Sequence, residues 1–144
     1  MYQTARLLSL EQTSREMYRL AWAWREDMAQ YASATLQEVF DLLKNIPYQA
    51  DPPDREHLQR PFYTLNEMGE GGDCDDKAIA AGAWAFLRRI PFRFVAVSKS
   101  PEKELHHVFV EMYINGKWEP FDPTYAFNVL GRPVAYAKRV ILPR

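Results

Sequence analysis

Cysteine is almost missing. The 144-residue chain has one, Cys74, which excludes an internal disulfide and a zinc cluster built on cysteines. An excess of either charge is missing too. Lys and Arg total 18 against 19 Asp and Glu, a formal net charge of −1, so no basic field draws the chain to nucleic acid or anionic lipid. No charge-free apolar run approaches the roughly 18 residues of a membrane helix. The start, Met-Tyr-Gln-Thr-Ala-Arg, lacks the charged-then-apolar layout of a signal peptide. The expectation is a soluble protein, cytoplasmic at synthesis. Apolar side chains are plentiful instead: 47% hydrophobic and 14% aromatic, a composition that excludes disorder. The length predicts a single domain, residues 1–144, with a real core.

Proline and glycine are both absent from Thr13 to Ile46. Met17, Leu20, Ala21, Trp24, Met28 and Tyr31 recur there at helical spacing, as do Leu36, Val39, Phe40, Leu43 and Ile46. The spacing predicts one long helix, or two with a break at Ser33–Thr35, where propensity falls. The aromatic stripe reads as core packing. Residues 1–12 read as extended. Pro47 ends the helical stretch. The connection 47–72 carries four prolines, reads as ordered with one helical turn near Asp54–Gln59, and is placed to wall a cleft. Asp73–Arg89 predicts a second strong helix, rich in small residues for close packing. Phe92–Val97 reads as a buried strand and Lys99–Glu104 as a charged loop. Val108–Ile114 and Trp118–Phe121 read as strands joined by Asn115-Gly116, a strong hairpin signal. A last short strand is expected within Tyr136–Leu142. Together these elements predict an α+β fold.

Cys74 lies in Gly-Gly-Asp-Cys-Asp-Asp, where a loop turns into a helix N-terminus. Unpaired N–H groups and the positive dipole end favour an anion there, which stabilises a thiolate. His107 and Asp122 follow downstream. Cys, His and Asp supply a nucleophile, a base and an orienter. The neighbouring acids read first as caps, with Asp73 as N-cap and Asp76 three positions on. As carboxylates they raise a nearby thiol pKa. The alternative is a calcium site completed by Asp51, Asp54, Glu56, Glu67 or Glu70. Consecutive helical side chains point about 100° apart, so no metal or cofactor is expected.

The hairpin gives a geometric test. With Asn115 and Gly116 as the loop, Ile114 faces Lys117, Glu111 faces Pro120 and Phe109 faces Asp122. His107 then shares the face of Asp122, as a diagonal neighbour within about 7–8 Å. His106 has the opposite parity and points with Val108, Val110 and Met112 toward the core. Pattern thus selects His107. Pro120 falls at a non-hydrogen-bonded position, where its missing N–H costs the ladder nothing.

Gly-Asp-Cys-Asp-Asp-x-Ala, Ile-Pro-x-Arg-Phe-Val and His-Val-Phe-Val-Glu-x-Tyr-x-x-Gly-x-Trp-x-x-Phe-Asp-Pro-Thr occur in that order between about Tyr48 and Tyr125. This set resembles the transglutaminase-like cysteine peptidase superfamily. The form with a Pro-rich lead and Gly-Gly-Asp-Cys-Asp-Asp is similar to small proteins encoded in bacteriophages and prophages. The resemblance implies a papain-like fold, a Cys-bearing helix packed on an antiparallel sheet. It implies Cys74 as nucleophile, His107 as base and Asp122 as orienter, in acyl transfer at a peptide or protein amide through a thioester. The short chain makes hydrolysis the expectation over crosslinking. Tyr48 and Tyr63 are candidates for the second oxyanion donor. Peptidoglycan and phage structural proteins are the partners the resemblance suggests, with association to a virion. A non-catalytic phage structural or assembly component is the alternative reading.

Overall fold

The computed structural model describes residues 2–6, 10–50, 55–66, 71–102, 104–132 and 136–144. The chain runs β1 (Tyr2–Arg6), α1 (Leu10–Ala23), a 3-10 segment (Arg25–Tyr31), α2 (Leu36–Lys44), β2 (Arg55–Gln59) and α3 (Pro61–Leu65). It continues through α4 (Cys74–Arg88), β3 (Phe92–Ser98), β4 (His107–Ile114), β5 (Lys117–Phe121) and β6 (Lys138–Ile141). Four strands form one antiparallel sheet in the order β5-β4-β3-β6, and β1 pairs antiparallel with β2 in a separate ribbon. The expected α+β class holds.

Helix α4 is the spine. Its small residues let it pack closely, and Ile79, Ala80, Ala81, Ala83, Trp84 and Ala85 are all buried. At Gly82 a Cβ would stand 2.8 Å from the Phe92 ring, so the glycine lets the helix approach the sheet. Alternation along the strands divides the sheet into two faces. Phe92, Phe94, Ala96, Val108, Val110, Met112 and Phe121 join the main core with α1 and α4. Val95, Val97 and Phe109 turn the other way and pack with Tyr136.

Several sequence expectations are corrected. The helical break at residues 33–35 is present, and Thr35 caps α2 in a reciprocal capping box with Glu38. The first helix, however, begins earlier, at Leu10, and gives way at Trp24 to 3-10 geometry. Tertiary contacts account for that change. Arg25 donates to the Trp22 carbonyl at 2.7 Å, and the Trp84 indole donates to the Tyr31 carbonyl at 2.7 Å. Asp27 is held by two Arg60 nitrogens at 2.7 and 2.8 Å. The helical turn expected near Asp54–Gln59 is strand β2 over Arg55–Gln59, paired with β1. The helical turn instead follows at Pro61–Leu65, with Pro61 in the first turn, where its lost N–H costs nothing. Asp51, Asp54, Glu67 and Glu70, and the side chain of Glu56, lie outside the described residues.

Candidate active site

Glycine shapes the approach to Cys74. Gly71 has φ +84°, and a Cβ there would fall 2.2 Å from the Pro47 carbonyl oxygen. Gly72 N donates to that carbonyl at 3.1 Å, and Gln49 N donates to the Gly72 carbonyl at 3.1 Å. The start of the Pro-rich connection is thereby stitched beside the helix entry, and Tyr48 faces Gly72 in a parallel bridge. Asp73 is the N-cap of α4, which makes Cys74 its first residue. Asp73 Oδ1 accepts from Asp76 N at 3.2 Å and Asp76 Oδ2 accepts from Asp73 N at 3.1 Å, the expected capping box. Asp76 also accepts from Gln59 N at 3.1 Å and Gln59 Nε2 at 3.2 Å. These bonds pin β2 to the base of the cysteine turn.

The hairpin register is as derived. Ile114 pairs with Lys117, Glu111 with Pro120 and Val110 with Phe121. Asn115 and Gly116 have φ 53° and 83°, the left-handed pair of a type I′ turn. The register carries His107 to Asp122: Nε2 and Oδ2 stand 2.8 Å apart, both residues buried. Thr124 N donates to the other carboxylate oxygen at 3.3 Å, and buried Asn128 donates to the Asp122 carbonyl at 3.0 Å. An ionised Asp122 accepts, so Nε2 carries the proton and Nδ1 keeps its lone pair.

His106 corrects the sequence reading. It lies just outside β4 and is exposed, with Nε2 accepting from Lys99 N at 3.2 Å. The parity argument separated the two histidines, but the ladder ends before it buries His106.

Cys74, His106 and His107 line one cavity of about 590 Å³, together with Tyr48, Ala96 and Val108. That volume lies within the usual range of a ligand pocket. Of the two oxyanion candidates, Tyr48 reaches this cavity; Tyr63, on α3, is not part of its wall.

The electrostatics oppose a standing thiolate. Burial first, then Asp75 and Asp73, push the Cys74 thiol well above its ordinary range. The Val108 backbone N–H donates to the sulfur and opposes them, while Asp122 adds to the upward push. The dipole argument gave the sign of one contribution, and burial with three acids outweighs it. Asp76 is likewise raised, by burial and by Asp73 and Asp75, against the donors that its oxygens accept. Among the described residues no three His, Cys, Asp or Glu side chains are placed to hold a metal ion. Among them, too, no helix is long and apolar enough to cross a membrane.

Three site neighbours escaped the sequence reading. Tyr125 and Tyr136 flank the His107 ring, with centroids at 5.0 and 6.1 Å. The Tyr136 hydroxyl is buried, with the Tyr125 hydroxyl as its polar neighbour. Burial, then Tyr125 and Asp122, raise it above the usual phenol range. Lys77, one helical turn past Cys74, is 1% exposed. Its spacing of three from Cys74 was the available signal.

The core model of the transglutaminase-like superfamily matches residues 18–123. A solved structure of a Cytophaga hutchinsonii protein, described as a "putative cysteine protease", is 22% identical, with a TM-score of 0.44. The alignment covers 87% of this chain and 43% of that one, so the chain spans less than half of that protein. Comparison with curated proteins finds no match.

Proposed function

We propose that this chain, which belongs to the transglutaminase-like superfamily, is a cysteine-dependent amide hydrolase. The observation that carries the reading is the buried 2.8 Å pair of His107 and Asp122 beside the cavity that Cys74 also lines. His107 Nδ1 takes the thiol proton, and the sulfur attacks the amide carbonyl carbon. Because Cys74 rests as a thiol, this transfer is general-base catalysis at the moment of attack. The Cys74 backbone N–H at the helix start and one further donor hold the oxyanion. Tyr48 is our candidate for that donor, from its place in the cavity wall.

Collapse of the tetrahedral intermediate breaks the C–N bond. His107 returns its proton to the leaving amine and a thioester remains. Water then attacks the thioester, with His107 as base, and releases the acid and the thiol. Asp122 holds the imidazole tautomer throughout and stabilises the imidazolium. The substrate class is a peptide or protein amide, with peptidoglycan stem peptides and phage structural proteins as the first candidates.

Profiling on a peptide library and on purified peptidoglycan, with Cys74→Ala as control, tests the reading. The native chain is expected to cleave an amide, and folded Cys74→Ala to have no turnover. Activity that survives in the folded variant overturns the assignment of the nucleophile.

A further inference from the structure

Lys77 is a buried charge that the proposed chemistry does not use. It lies on α4 three residues beyond Cys74, a spacing that stacks two side chains on one helical face. Its side chain ranks among the large, fully buried ones of the fold, at 1% exposure. Among the described residues its ammonium makes no hydrogen bond or ion pair. A lysine so enclosed is rare unless a charge answers it. Several acids of the fold are engaged with other partners. Asp73 and Asp76 cap each other, Asp27 is bound by Arg60, and Glu111 by Arg93 and Arg139. His107 is bonded to Asp122. Of the tyrosines flanking His107, Tyr125 and Tyr136 are both displaced upward, so they bring no negative charge at neutral pH. The groups that act on the ammonium against its burial are the Asp122 carboxylate, already bonded to His107, and the Cys74 sulfur.

We propose that Lys77 is a positioning residue whose ammonium stabilises the anionic sulfur of Cys74 as it forms, offsetting the acids at the helix start. The inference rests on Cys74 being the nucleophile. Burial lowers the lysine, while Asp122 and Cys74 raise it, as expected of an ammonium facing both. Burial, Asp75, Asp73 and Asp122 displace the resting thiol upward, and the ammonium acts against those acids as the sulfur becomes anionic. The helix supplies this cation at a fixed distance, whereas His107 must be protonated before it can serve as one.

The single cysteine makes the test direct and independent of substrate. The pH profile of alkylation by iodoacetamide is measured on the whole chain, on Lys77→Met and on Lys77→Arg. Met keeps the apolar stem and removes the charge. An opposite charge within about 4–6 Å shifts a pKa by roughly one to three units. Lys77→Met is therefore expected to move the alkylation midpoint up by at least about one unit, about tenfold in rate at fixed pH. Lys77→Arg is expected to restore part of the shift. A folded Lys77→Met with the native midpoint overturns the proposal, because a packing role would leave the profile in place. If Lys77→Met does not fold, the reciprocal measurement decides. The Lys77 Cε resonance is titrated by NMR in the native chain and in Cys74→Ser, where loss of the ionisable sulfur should lower the lysine midpoint. An unmoved midpoint overturns the proposal. Neither readout needs turnover, so a shifted profile in a chain that cleaves no amide would sink the hydrolase reading and leave the Lys77 assignment standing.

Discussion

Asp122→Asn changes one atom at the point where the site is most tightly specified. Asp122 accepts on both oxygens, from His107 at 2.8 Å and from Thr124 N at 3.3 Å. An asparagine can keep one of these contacts in good order. With its oxygen toward Thr124 N, its NH₂ faces His107 Nε2, which must then be unprotonated. The imidazole proton moves to Nδ1, and the lone pair required by the Cys74 thiol is gone. Turning the amide over restores the tautomer but sets NH₂ against the Thr124 N–H, an unmade buried hydrogen bond that costs about 1–3 kcal/mol. The charge-assisted bond to the imidazolium is also lost, another roughly 1.5–3 kcal/mol. The sum, about 3–6 kcal/mol, corresponds to a loss of roughly 10²–10⁴ in rate at about 1.4 kcal/mol per decade. The upper end matches the ~10⁴-fold loss for the equivalent change in a serine-protease triad. Two assays apply: single-turnover acylation with the best substrate from profiling, and ¹⁵N NMR of the His107 ring. The second should show the proton on Nε2 in the native chain and on Nδ1 in the variant. An Asp122→Asn chain with unchanged acylation and an unmoved ring proton refutes the reasoning.

His107→Ala is expected to slow acylation by orders of magnitude. His106→Ala, at an exposed position that accepts one bond from Lys99 N, should change both rate and melting temperature little; reversed phenotypes would sink the assignment of the base. Glu111 predicts acid sensitivity. Burial raises its carboxyl, but hydrogen bonds from Arg139 and Arg93 lower it further, leaving it below its ordinary value. A depressed folded pKa contributes stability above the unfolded carboxylate value, near 4.3, and loses it as pH falls through the folded value. Glu111→Gln should therefore cost roughly 1.5–3 kcal/mol at pH 7, as expected for hydrogen bonds to charged groups. The gap should narrow in urea melts near pH 3, and a gap independent of pH would be the contrary result.

What was legible in the chain was local. The Asn115-Gly116 turn and the alternation on either side of it set a register that holds from Ile114–Lys117 to Val110–Phe121, and the same parity separates His107 from His106. Asp73, Cys74 and Asp76 could be placed because a helix start is written within four residues. The ribbon of Tyr2–Arg6 with Arg55–Gln59 could not. Its two strands are separated by about fifty residues and no turn links them; the first reads as extended without a partner, and the second reads as a helical turn. The 3-10 segment was hidden for a similar reason. Its sequence is as helical as its neighbours, and the bonds that hold it come from Arg60 and Trp84 elsewhere. Lys77 was missed because a lysine on a helix ordinarily faces water, and its burial appears only in the folded chain.

The charge arrangement around Cys74 follows from a conflict between building the helix and using it. The Asp73–Asp76 box caps α4, and Asp76 also ties Gln59 of β2 to the turn. Asp73, which caps the helix, therefore also helps to raise the Cys74 thiol, beside burial and Asp75. A helix N-terminus with neutral caps would ease ionisation, but it would give up the bonds that join the ribbon to the cysteine turn. The fold keeps the anchors and leaves the thiol protonated at rest. Ionisation then has to be coupled to attack, with a base aligned beforehand. In the proposed mechanism His107 is that base, its ring held by Asp122 on one nitrogen and flanked by Tyr125 and Tyr136. A thiol that ionises only when its base and substrate are in place is also protected from indiscriminate alkylation and oxidation, since the thiolate is the reactive form.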